Sequence, residues 1–452
     1  MGEACNMMIS WHHPPHHNPP PPGGRGPIGT FAIGPLFLHK EKGKDGGEIG
    51  SIWIPRSGTS LHMEEEKRSR EEDLRRFIFS QIEKKGPIPF SQFMEWCLYH
   101  PEYGYYQSDR TRIGKEGDYY TSPCVHPIFG QLVAKQLFQM SERMGGETFD
   151  VVEMGGGRGF LCEDILNWAK KNAPAFYHRL RYHLLETAPC FLKEQKERLR
   201  EQEREGKVFW MDPEAFGEGK AHMEGCFLSN ELVDAFPVHQ IVLAHRELKE
   251  VYVIQLNGQF QEQLEKPSDP RIPDYFSFME ITLQEGQRAE VNLRALDWME
   301  KVGRCLKKGF VLTIDYGYLA EELYAPQRHH GTLLCYFQHR TSGNPYERLG
   351  EQDITSHVNF TSLIKKGEEE GLRFTGLVPQ YQFLIGVGIL EEVESLGREM
   401  PEIDAFQLRL SLKHLIEPEV GMGEVFKVLV QHKGIDKPLL DGLRDLRSIS
   451  WK

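Results

Sequence analysis

The chain has 452 residues, of which 39% are hydrophobic and 27% are charged, and these proportions predict a globular protein with roughly two to three domains. The formal net charge is −12, which argues against a nucleic-acid binder, because such proteins gain affinity mainly from basic side chains on phosphates. We find no apolar run of about 18 residues, so the sequence predicts no membrane-spanning helix.

Residues 1–62 differ in composition from the rest of the chain. The stretch 11–27 is rich in proline, histidine and glycine, which predicts a disordered, low-complexity extension or translation from an upstream start. A metal bound by its histidines is a second, purely compositional interpretation. Glu3 precedes the first arginine, Arg25, so the segment does not resemble an arginine-rich mitochondrial transit peptide. We therefore expect a cytoplasmic protein, with the mitochondrial matrix as the alternative if the segment is processed.

Helical patterns dominate residues 63–145. Charged helical periodicity covers 63–85, and an amphipathic pattern covers 127–144. Between them lie a turn–helix–turn at 86–106 and a loop at 114–123. The turn–helix–turn carries an aromatic run that either contacts a ligand or, as we favour, packs the helix against the core: Trp96, Tyr99, Tyr103, Tyr105 and Tyr106.

From residue 146 onward the pattern alternates between strands and helices. Short apolar runs predict strands at 149–154, 181–186, 208–210, 225–229, 310–315, 373–378 and 425–431, and residues 239–254 with their surroundings are predicted to be β-rich. Helical periodicity predicts helices at 160–171, 188–205, 292–306 and 361–370. This alternation is typical of an α/β protein with a largely parallel sheet and helices on both faces. We predict a core domain at 146–435, with a β-rich insertion, and a C-terminal tail at 436–452.

The sequence EMGGGRG at 153–159 lies between a predicted apolar strand and a predicted helix. Its glycines permit a tight turn and let a ligand approach the backbone closely: Gly155, Gly156, Gly157 and Gly159. The start of the following helix adds unpaired N–H groups and the positive end of the helix dipole. The loop therefore predicts a nucleotide-type cofactor such as NAD, FAD or S-adenosylmethionine (SAM), with a simple tight turn as the alternative. The eight cysteines form no CxxC pair, so we predict no metal.

Polar side chains stand where three of the predicted strands end. Glu153 precedes the glycines, and Glu186 ends the second strand, where a carboxylate can accept hydrogen bonds from both ribose hydroxyls, unless it is only a solvated strand end. Asn230, Glu231 and Asp234 follow the fourth strand, at the sheet edge where ligands bind. They can orient a substrate amine or guanidinium, whereas helix capping by Asn230 and Asp234 is the alternative.

An ordered set of further motifs follows the chain: GPIPFSQFMEWCLYHPEYGYY at 86–106, GDYYTSP at 117–123, VVEMGGGRG at 151–159, LLET at 184–187, SNELVDAFPV at 229–238, IDYGY at 314–318, GTLLCYFQHR at 331–340 and GEQDITSHVNF at 350–360. In these motifs the chain resembles the MidA-like family of SAM-dependent methyltransferases, which includes a mitochondrial arginine methyltransferase needed for respiratory complex I assembly. The resemblance covers about residues 75–432 and is more specific than any single motif.

The resemblance implies an α/β, class I methyltransferase fold: a Rossmann-like sheet with helices on both faces, an N-terminal helical lid over 63–145 and a β-rich insertion. It implies SAM as the cofactor, lined by the glycine loop and by Glu153, with Glu186 on its ribose. Asn230 and Glu231 would face the transferred methyl group. The loop at 117–123 would close the pocket and adds three polar candidates for cofactor contact: Asp118, Thr121 and Ser122.

Two residues near the end of the resemblance complete the predicted site. His357 is a candidate proton acceptor or lid contact, with a structural role as the alternative. Asn359 stands where relatives more often carry aspartate, which puts a carboxylate role at that position in doubt. We expect Glu231, with Asp234, to hydrogen-bond an arginine side chain and to place its nitrogen on the methyl group.

We therefore predict a SAM-dependent methyltransferase that modifies arginine on a partner protein, such as a subunit of respiratory complex I. The arginine substrate rests on the resemblance. Two alternatives stay open: an assembly factor that binds a partner and holds SAM structurally, and an NAD-linked oxidoreductase on a similar fold. Neither nucleic acid nor a membrane is an expected partner, and the sequence leaves the oligomeric state open.

Overall fold

The computed structural model describes residues 58–107, 118, 121–214, 216–217, 223–398, 400–417 and 423–446. The histidine-rich stretch and residues 1–57 of the predicted extension lie outside the described residues. Helix α1 spans Gly58–Lys85, so the helix begins before the predicted boundary at residue 63, and 58–62 are helical rather than disordered. Among the described residues, no helix combines the length and the apolar character that crossing a membrane requires.

The helices that follow α1 are α2 (Phe90–Tyr99), α3 (Ser122–Val125), α4 (Ile128–Met144), α5 (Phe160–Asn172), α6 (Pro174–Arg179), α7 (Pro189–Arg198), α8 (Arg200–Arg204), α9 (Arg271–Met279), α10 (Leu293–Cys305), α11 (Ala320–Leu323), α12 (Phe360–Glu369), α13 (Gln380–Gly386), α14 (Ile389–Arg398) and α15 (Glu402–Ile416). Short 3₁₀ turns occupy Tyr105–Gln107 and Asp441–Leu443. The long helix predicted at 188–205 is wrong, because the backbone leaves helical geometry at Leu199 and separates α7 from α8.

The strands are β1 (Ile88–Pro89), β2 (Phe149–Met154), β3 (Leu180–Leu185), β4 (Val208–Trp210), β5 (Met223–Asn230), β6 (His239–Ala244), β7 (Glu247–Leu256), β8 (Gln259–Glu265), β9 (Arg288–Val291), β10 (Leu306–Tyr318), β11 (Leu334–Phe337), β12 (Arg340–Ser342), β13 (Asp353–Thr355), β14 (Val358–Asn359), β15 (Arg373–Pro379) and β16 (Phe426–Lys433). β2 matches its prediction at both ends, because all six of its residues are buried and form one apolar run.

The largest sheet has the strand order β15-β16-β10-β5-β2-β3-β4, and β14 adds to β10. The strands from β10 to β4 are parallel, whereas β16 runs antiparallel to both of its neighbours. Helices α4 and α5 pack on one face through residues such as Leu132 and Ile165. Helices α10 and α12 pack on the other face through residues such as Trp298 and Leu363. The predicted sheet with helices on both faces is therefore present.

A second sheet, of order β1-β7-β6-β9 with β8 beside β7, forms the predicted β-rich insertion. Strand β1 comes from the N-terminal segment, and residues of α1 and α2 such as Leu74 and Phe93 share one apolar cluster with Val253 of β7. Helix α4 belongs to the core cluster of the main sheet instead. The predicted helical segment 63–145 is thus divided between two packing layers.

A three-stranded antiparallel sheet of order β12-β11-β13 lies between α11 and α12 in the chain. The C-terminal residues pack on the core rather than forming only a tail. Leu440 is buried, and the N–H groups of Asp441 and Gly442 donate to Gln139 and Gln136 of α4. The domain division otherwise stays a prediction.

Candidate active site

The glycine loop connects β2 to α5 at the carboxyl edge of the main sheet. Gly155, Gly157 and Gly159 all have positive φ, at +71°, +50° and +81°. The N–H of Gly155 donates to Leu185 O at 2.9 Å, which closes the loop against the end of β3. A Cβ at Gly155 would lie 2.8 Å from Leu232 Cδ1, so a larger residue would have to displace that side chain, and the positive φ itself favours glycine.

Glu186 links the glycine loop to the chain after β3. Its Oε2 accepts the N–H of Gly157 at 3.0 Å, and its Oε1 accepts the N–H groups of Thr187 and Ala188 at 2.8 and 2.9 Å. Burial raises the pKa of this carboxyl, and the three N–H donors oppose the shift. The carboxylate therefore fixes the loop, and its contact with a ribose stays a prediction.

Glu153 lies beneath the glycine loop. Its Oε2 accepts the hydroxyl of Tyr182 at 2.8 Å, and only 3% of the residue is exposed. A Cβ at Gly156 would come within 3.4 Å of its carboxyl carbon. Burial raises the pKa of Glu153 to about 7. The geometry gives the side chain a supporting role under the loop, and its predicted contact with a cofactor is not tested by these contacts.

The acidic turn, residues 230–236, follows β5 and faces the same sheet edge. Glu231 has φ +52°, and its N–H donates to Ile314 O at 2.9 Å. Its Oε1 accepts hydrogen bonds from Asn230 Nδ2 at 3.0 Å and from the N–H of Ser122 at 3.2 Å. Strand β6 follows this turn, so the alternative in which Asn230 and Asp234 cap a helix is wrong.

Asp315, at the carboxyl end of β10, holds the acidic turn from below. Its Oδ2 accepts the N–H groups of Val233 at 3.0 Å and Asp234 at 3.4 Å, and its Oδ1 accepts the N–H of Tyr316. Neither Asp315 nor Tyr316 was among the predicted site residues. Their position at the end of a predicted parallel strand, in the motif IDYGY, was the available signal.

Carboxyl groups accumulate in this turn without basic partners. Burial raises the pKa of Glu231 to about 8 and that of Asp234 to about 6, and it raises the pKa of Asp315 well above its usual range. Among the described residues, no lysine or arginine forms an ion pair with these three. Within the same part of the chain, Asn230 Oδ1 and Asp234 Oδ1 are buried without a hydrogen-bond partner. The turn is therefore suited to a cation that donates several hydrogen bonds.

The polar candidates of the loop at 117–123 contact other parts of the protein. Asp118 accepts the hydroxyl of Tyr105 at 2.9 Å and the N–H of Gln338 at 2.8 Å. Ser122 Oγ donates to Gln380 Oε1 at 3.2 Å, while its N–H reaches Glu231. The side chain of Thr121 hydrogen-bonds to that of Cys124. Of these three predicted residues, Ser122 is therefore the residue whose hydrogen bond to the acidic turn is described.

His357 lies close to the acidic turn. Its ring meets Tyr316 edge-on at 5.4 Å, and Tyr316 hydrogen-bonds to Asp234. Burial, with the charge of Arg328, lowers the pKa of His357 to about 4, so the ring is neutral near pH 7. Its Nδ1 is buried without a hydrogen-bond partner among the described residues, which leaves a proton acceptor beside the turn.

Asn359 and the aromatic run serve the packing of the protein. Asn359 Oδ1 caps α12 by accepting the N–H of Ser362 at 3.3 Å, and its Nδ2 donates to the hydroxyl of Tyr275 at 2.8 Å. An ionised aspartate could not donate this second bond and could only accept the hydroxyl of Tyr275 instead. Tyr105 is buried in the cluster that joins α1 and α2 to β7, as the packing interpretation expected.

Among the described residues, no group of three or more His, Cys, Asp or Glu is arranged to hold a metal ion. All seven described cysteines are free thiols. The described residues at this edge of the sheet include a glycine loop, the buried Glu153 and Glu186, and an acidic turn.

Comparison with known proteins identifies related chains. A model of the family described as "Putative S-adenosyl-L-methionine-dependent methyltransferase" matches residues 132–378. A mitochondrial relative named protein arginine methyltransferase NDUFAF7 homolog, from Drosophila melanogaster, is 28% identical over 401 residues, covering 80% of this chain and 85% of its own length. The human protein arginine methyltransferase NDUFAF7, also mitochondrial, is 25% identical over 379 residues, covering 78% and 81%.

A crystal structure of a "likely methyl transferase" from Burkholderia thailandensis, bound to S-adenosyl-homocysteine, superposes with a TM-score of 0.74 at 28% identity. The match covers 87% of this chain and 97% of that chain. A native structure from the same organism gives a TM-score of 0.72. These matches confirm the predicted fold class and favour SAM over NAD. The relatives named mitochondrial give no support to the predicted cytoplasmic location.

Proposed function

The chain belongs to the S-adenosyl-L-methionine-dependent methyltransferase family whose model matches residues 132–378, and from this we propose that it methylates an arginine side chain of a partner protein. SAM is the cofactor of the family. The arginine substrate is supported by the names of the mitochondrial relatives and by the acidic turn. The observation that carries the proposal is a pair of buried oxygens close to Glu231 in the acidic turn, Asn230 Oδ1 and Asp234 Oδ1. Neither oxygen accepts a hydrogen bond from any of the described residues.

The residues at the sheet edge fit the cofactor. The positive-φ glycines leave the backbone of the loop open to close approach, and we assign Gly155, Gly156, Gly157 and Gly159 to the lining of SAM. Glu186 Oε2 accepts a single N–H, so it keeps a lone pair for a ribose hydroxyl. SAM supplies an activated methyl group on a sulfonium, so the protein mainly has to position the nucleophile.

The acidic turn would position the guanidinium. Glu231 and Asp234 would accept its N–H groups, which restricts the planar group to one orientation toward the methyl carbon. Methylation of a guanidinium nitrogen releases one proton. We assign the acceptance of this proton to Glu231, with the neutral ring of His357 as the second candidate, because the low pKa of His357 makes Glu231 the stronger base.

The partner and the location follow from the relatives rather than from the geometry. We propose a protein of the mitochondrial matrix, in place of the cytoplasm, because the curated relatives are named mitochondrial. A subunit of respiratory complex I is the partner that the family resemblance suggests.

The test follows the methyl group. Protein from cells that lack the enzyme is incubated with the purified chain and SAM labelled in its methyl group, then hydrolysed, and the labelled amino acids are separated. We expect methylarginine from the wild type and about 10²-fold less from Glu231→Gln, because the nucleophile loses its orientation. Glu280→Gln is the matched control, since Glu280 has a similar φ of +59° but is exposed just after the end of α9.

Each other outcome names a different function. Label in lysine or in a small molecule would reject arginine as the acceptor. Tight binding of SAM with no transfer to any protein would instead favour an assembly factor that holds SAM structurally.

A further inference from the structure

The three-stranded sheet β12-β11-β13 closes one side of the acidic turn. From this geometry we infer, resting on the proposed function, that Tyr336 on β11 and Asp353 on β13 form the wall of the acceptor site that selects a guanidinium over an ammonium group. The sequence analysis assigned no role to either residue.

The sheet is joined directly to the acidic turn. Ser356, which follows β13, donates its N–H to the carbonyl oxygen of Asp234 at 3.0 Å. At the other end, Asp118 holds the β11–β12 connection by accepting the N–H of Gln338 at 2.8 Å. The β13 end of the small sheet is therefore fixed to the turn through Ser356, and the β11–β12 connection is held by Asp118.

Asp353 is tied to the turn a second time, through two tyrosines. Its Oδ1 accepts the hydroxyl of Tyr106 at 2.9 Å, and the ring of Tyr106 stacks on Tyr99 at 5.3 Å. The hydroxyl of Tyr99 donates to the carbonyl oxygen of Ala235 at 2.9 Å. Asp353 therefore adds a fourth buried carboxylate close to Glu231 and Asp234.

Tyr336 stands opposite Asp353 in the antiparallel register, so the two side chains share one face of the small sheet. Tyr336 is half-buried, and it lies near enough to the turn to sense its charges. Burial, followed by the charges of Asp234, Asp353 and Glu231, raises the pKa of Tyr336 to about 12. The phenol therefore stays neutral near pH 7, and its ring is the aromatic surface that our proposal assigns to the acceptor site.

This arrangement matches a guanidinium better than an ammonium. A guanidinium is planar, is weakly hydrated, stacks on aromatic rings and donates in a fork to carboxylates, whereas an ammonium is a compact, strongly hydrated charge. Asp234 also supports a ligand here, because it is 5% exposed and, although its side chain hydrogen-bonds to Tyr316, its Oδ1 has no partner among the described residues. The ring of Tyr336 would cover one face of the planar cation, and Asp234 and Glu231 would accept from its edge.

The experiment measures binding, so it does not depend on knowing the protein substrate. The full chain is saturated with S-adenosylhomocysteine and titrated calorimetrically with acetyl-arginine methylamide and, separately, with acetyl-lysine methylamide. We expect the wild type to prefer the arginine probe. Tyr336→Leu should weaken arginine binding by about tenfold and abolish the preference, whereas Tyr336→Phe keeps the ring and should stay within about twofold.

Two further variants separate selection from folding. Phe337→Leu is the matched control on the same strand, because neighbouring side chains point to opposite faces, and it should leave the preference unchanged. Asp353→Asn keeps an acceptor for Tyr106 but removes the charge, and it should weaken the arginine probe more than the lysine probe. The inference is overturned if the wild type shows no preference or if Tyr336→Leu keeps it. Failure of the proposed function would appear separately, as absence of labelled methylarginine.

Discussion

Two regions at the carboxyl edge of the main sheet differ in how their polar groups are satisfied. At the cofactor end, by which we mean the glycine loop with Glu153 and Glu186, to which we assign SAM, Glu186 accepts three backbone N–H groups and Glu153 accepts the hydroxyl of Tyr182. At the acidic turn, Asn230 and Asp234 keep buried oxygens without donors in the described part of the chain. Both ends are buried and acidic, yet only the first is complete by itself.

This difference suggests that the two regions bind their ligands in different ways. The cofactor end is preorganised by the chain's own backbone, which lowers the cost of ordering it when a ligand binds. In the acidic turn the free-energy cost of burying carboxyl groups is not fully offset by hydrogen bonds from the described residues. A cationic hydrogen-bond donor would therefore bind there most favourably. The predictions below test whether the two ends can be perturbed independently.

The largest effect is expected from removing Asp315. Asp315→Ala leaves the N–H groups of Val233 and Asp234 without their acceptor, so the acidic turn loses its shape and methyl transfer falls by about 10²-fold. SAM affinity should change by less than about twofold. Steady-state kinetics and calorimetric titration with SAM measure the two quantities. Asp315→Asn keeps one acceptor oxygen and should recover part of the activity. Equal losses in turnover and SAM affinity would show that the two ends are coupled.

The next effect concerns the cofactor end. Gly155→Ala places a Cβ at positive φ and against Leu232, so the loop should shift and SAM affinity should fall by about tenfold, or about 1.4 kcal/mol. Gly206→Ala is the matched control, because Gly206 has φ +68° but an open environment. Both variants place alanine at a similar positive φ. A difference between their SAM dissociation constants therefore reports contact of Gly155 with the cofactor site rather than backbone strain. Equal affinities would remove Gly155 from the cofactor site.

The pH dependence of turnover should report on the acidic turn alone. The pKa of Glu231 is raised to about 8, so its carboxyl is mostly protonated at pH 7 and carries no charge to hold a guanidinium. We expect kcat/KM to rise about tenfold between pH 7 and pH 9 as Glu231 ionises. His357, with its pKa lowered to about 4, is neutral throughout this range. Glu231→Gln should flatten the profile, and a wild-type profile already flat would contradict the assignment.

The smallest effect is a change in stability at Glu153. Burial raises its pKa from 4.5 to about 7, so the folded state binds more protons than the unfolded state between these pH values, and stability falls as pH rises through that window. Glu153→Gln should increase the free energy of unfolding at pH 8 by about 1 kcal/mol and weaken this dependence. Urea denaturation at pH 5 and pH 8 measures it. A loss of SAM affinity in the same variant would instead support direct cofactor contact.

The sequence predicted those features that depend on local patterns. Strand β2 and helix α4 were placed within one residue, because apolar runs and helical periodicity come from neighbouring residues. The glycine loop was found because positive φ requires glycine in one short stretch. The break at Leu199 between α7 and α8 was missed, since charged helical periodicity continues across it.

The acidic turn was found only in part, for a physical reason. Glu231 and Asp234 are visible because they follow a predicted strand. Asp315, Asp353 and Tyr336 reach the turn through separate elements, and no local pattern indicates which residues a distant strand will bring there. Pairing between β11 and β13 and between β5 and β10 supplies that information.

The hydrogen bonds that shape the two ends also differ in how much chain they enclose. The bond from Gly157 to Glu186 spans 29 residues, whereas the bond from Val233 to Asp315 spans 82. Closing the longer loop costs about 1 kcal/mol more in chain entropy. The residues that we assign to the cofactor all precede Thr187 in the chain, so they are synthesised well before the strand that carries Asp315.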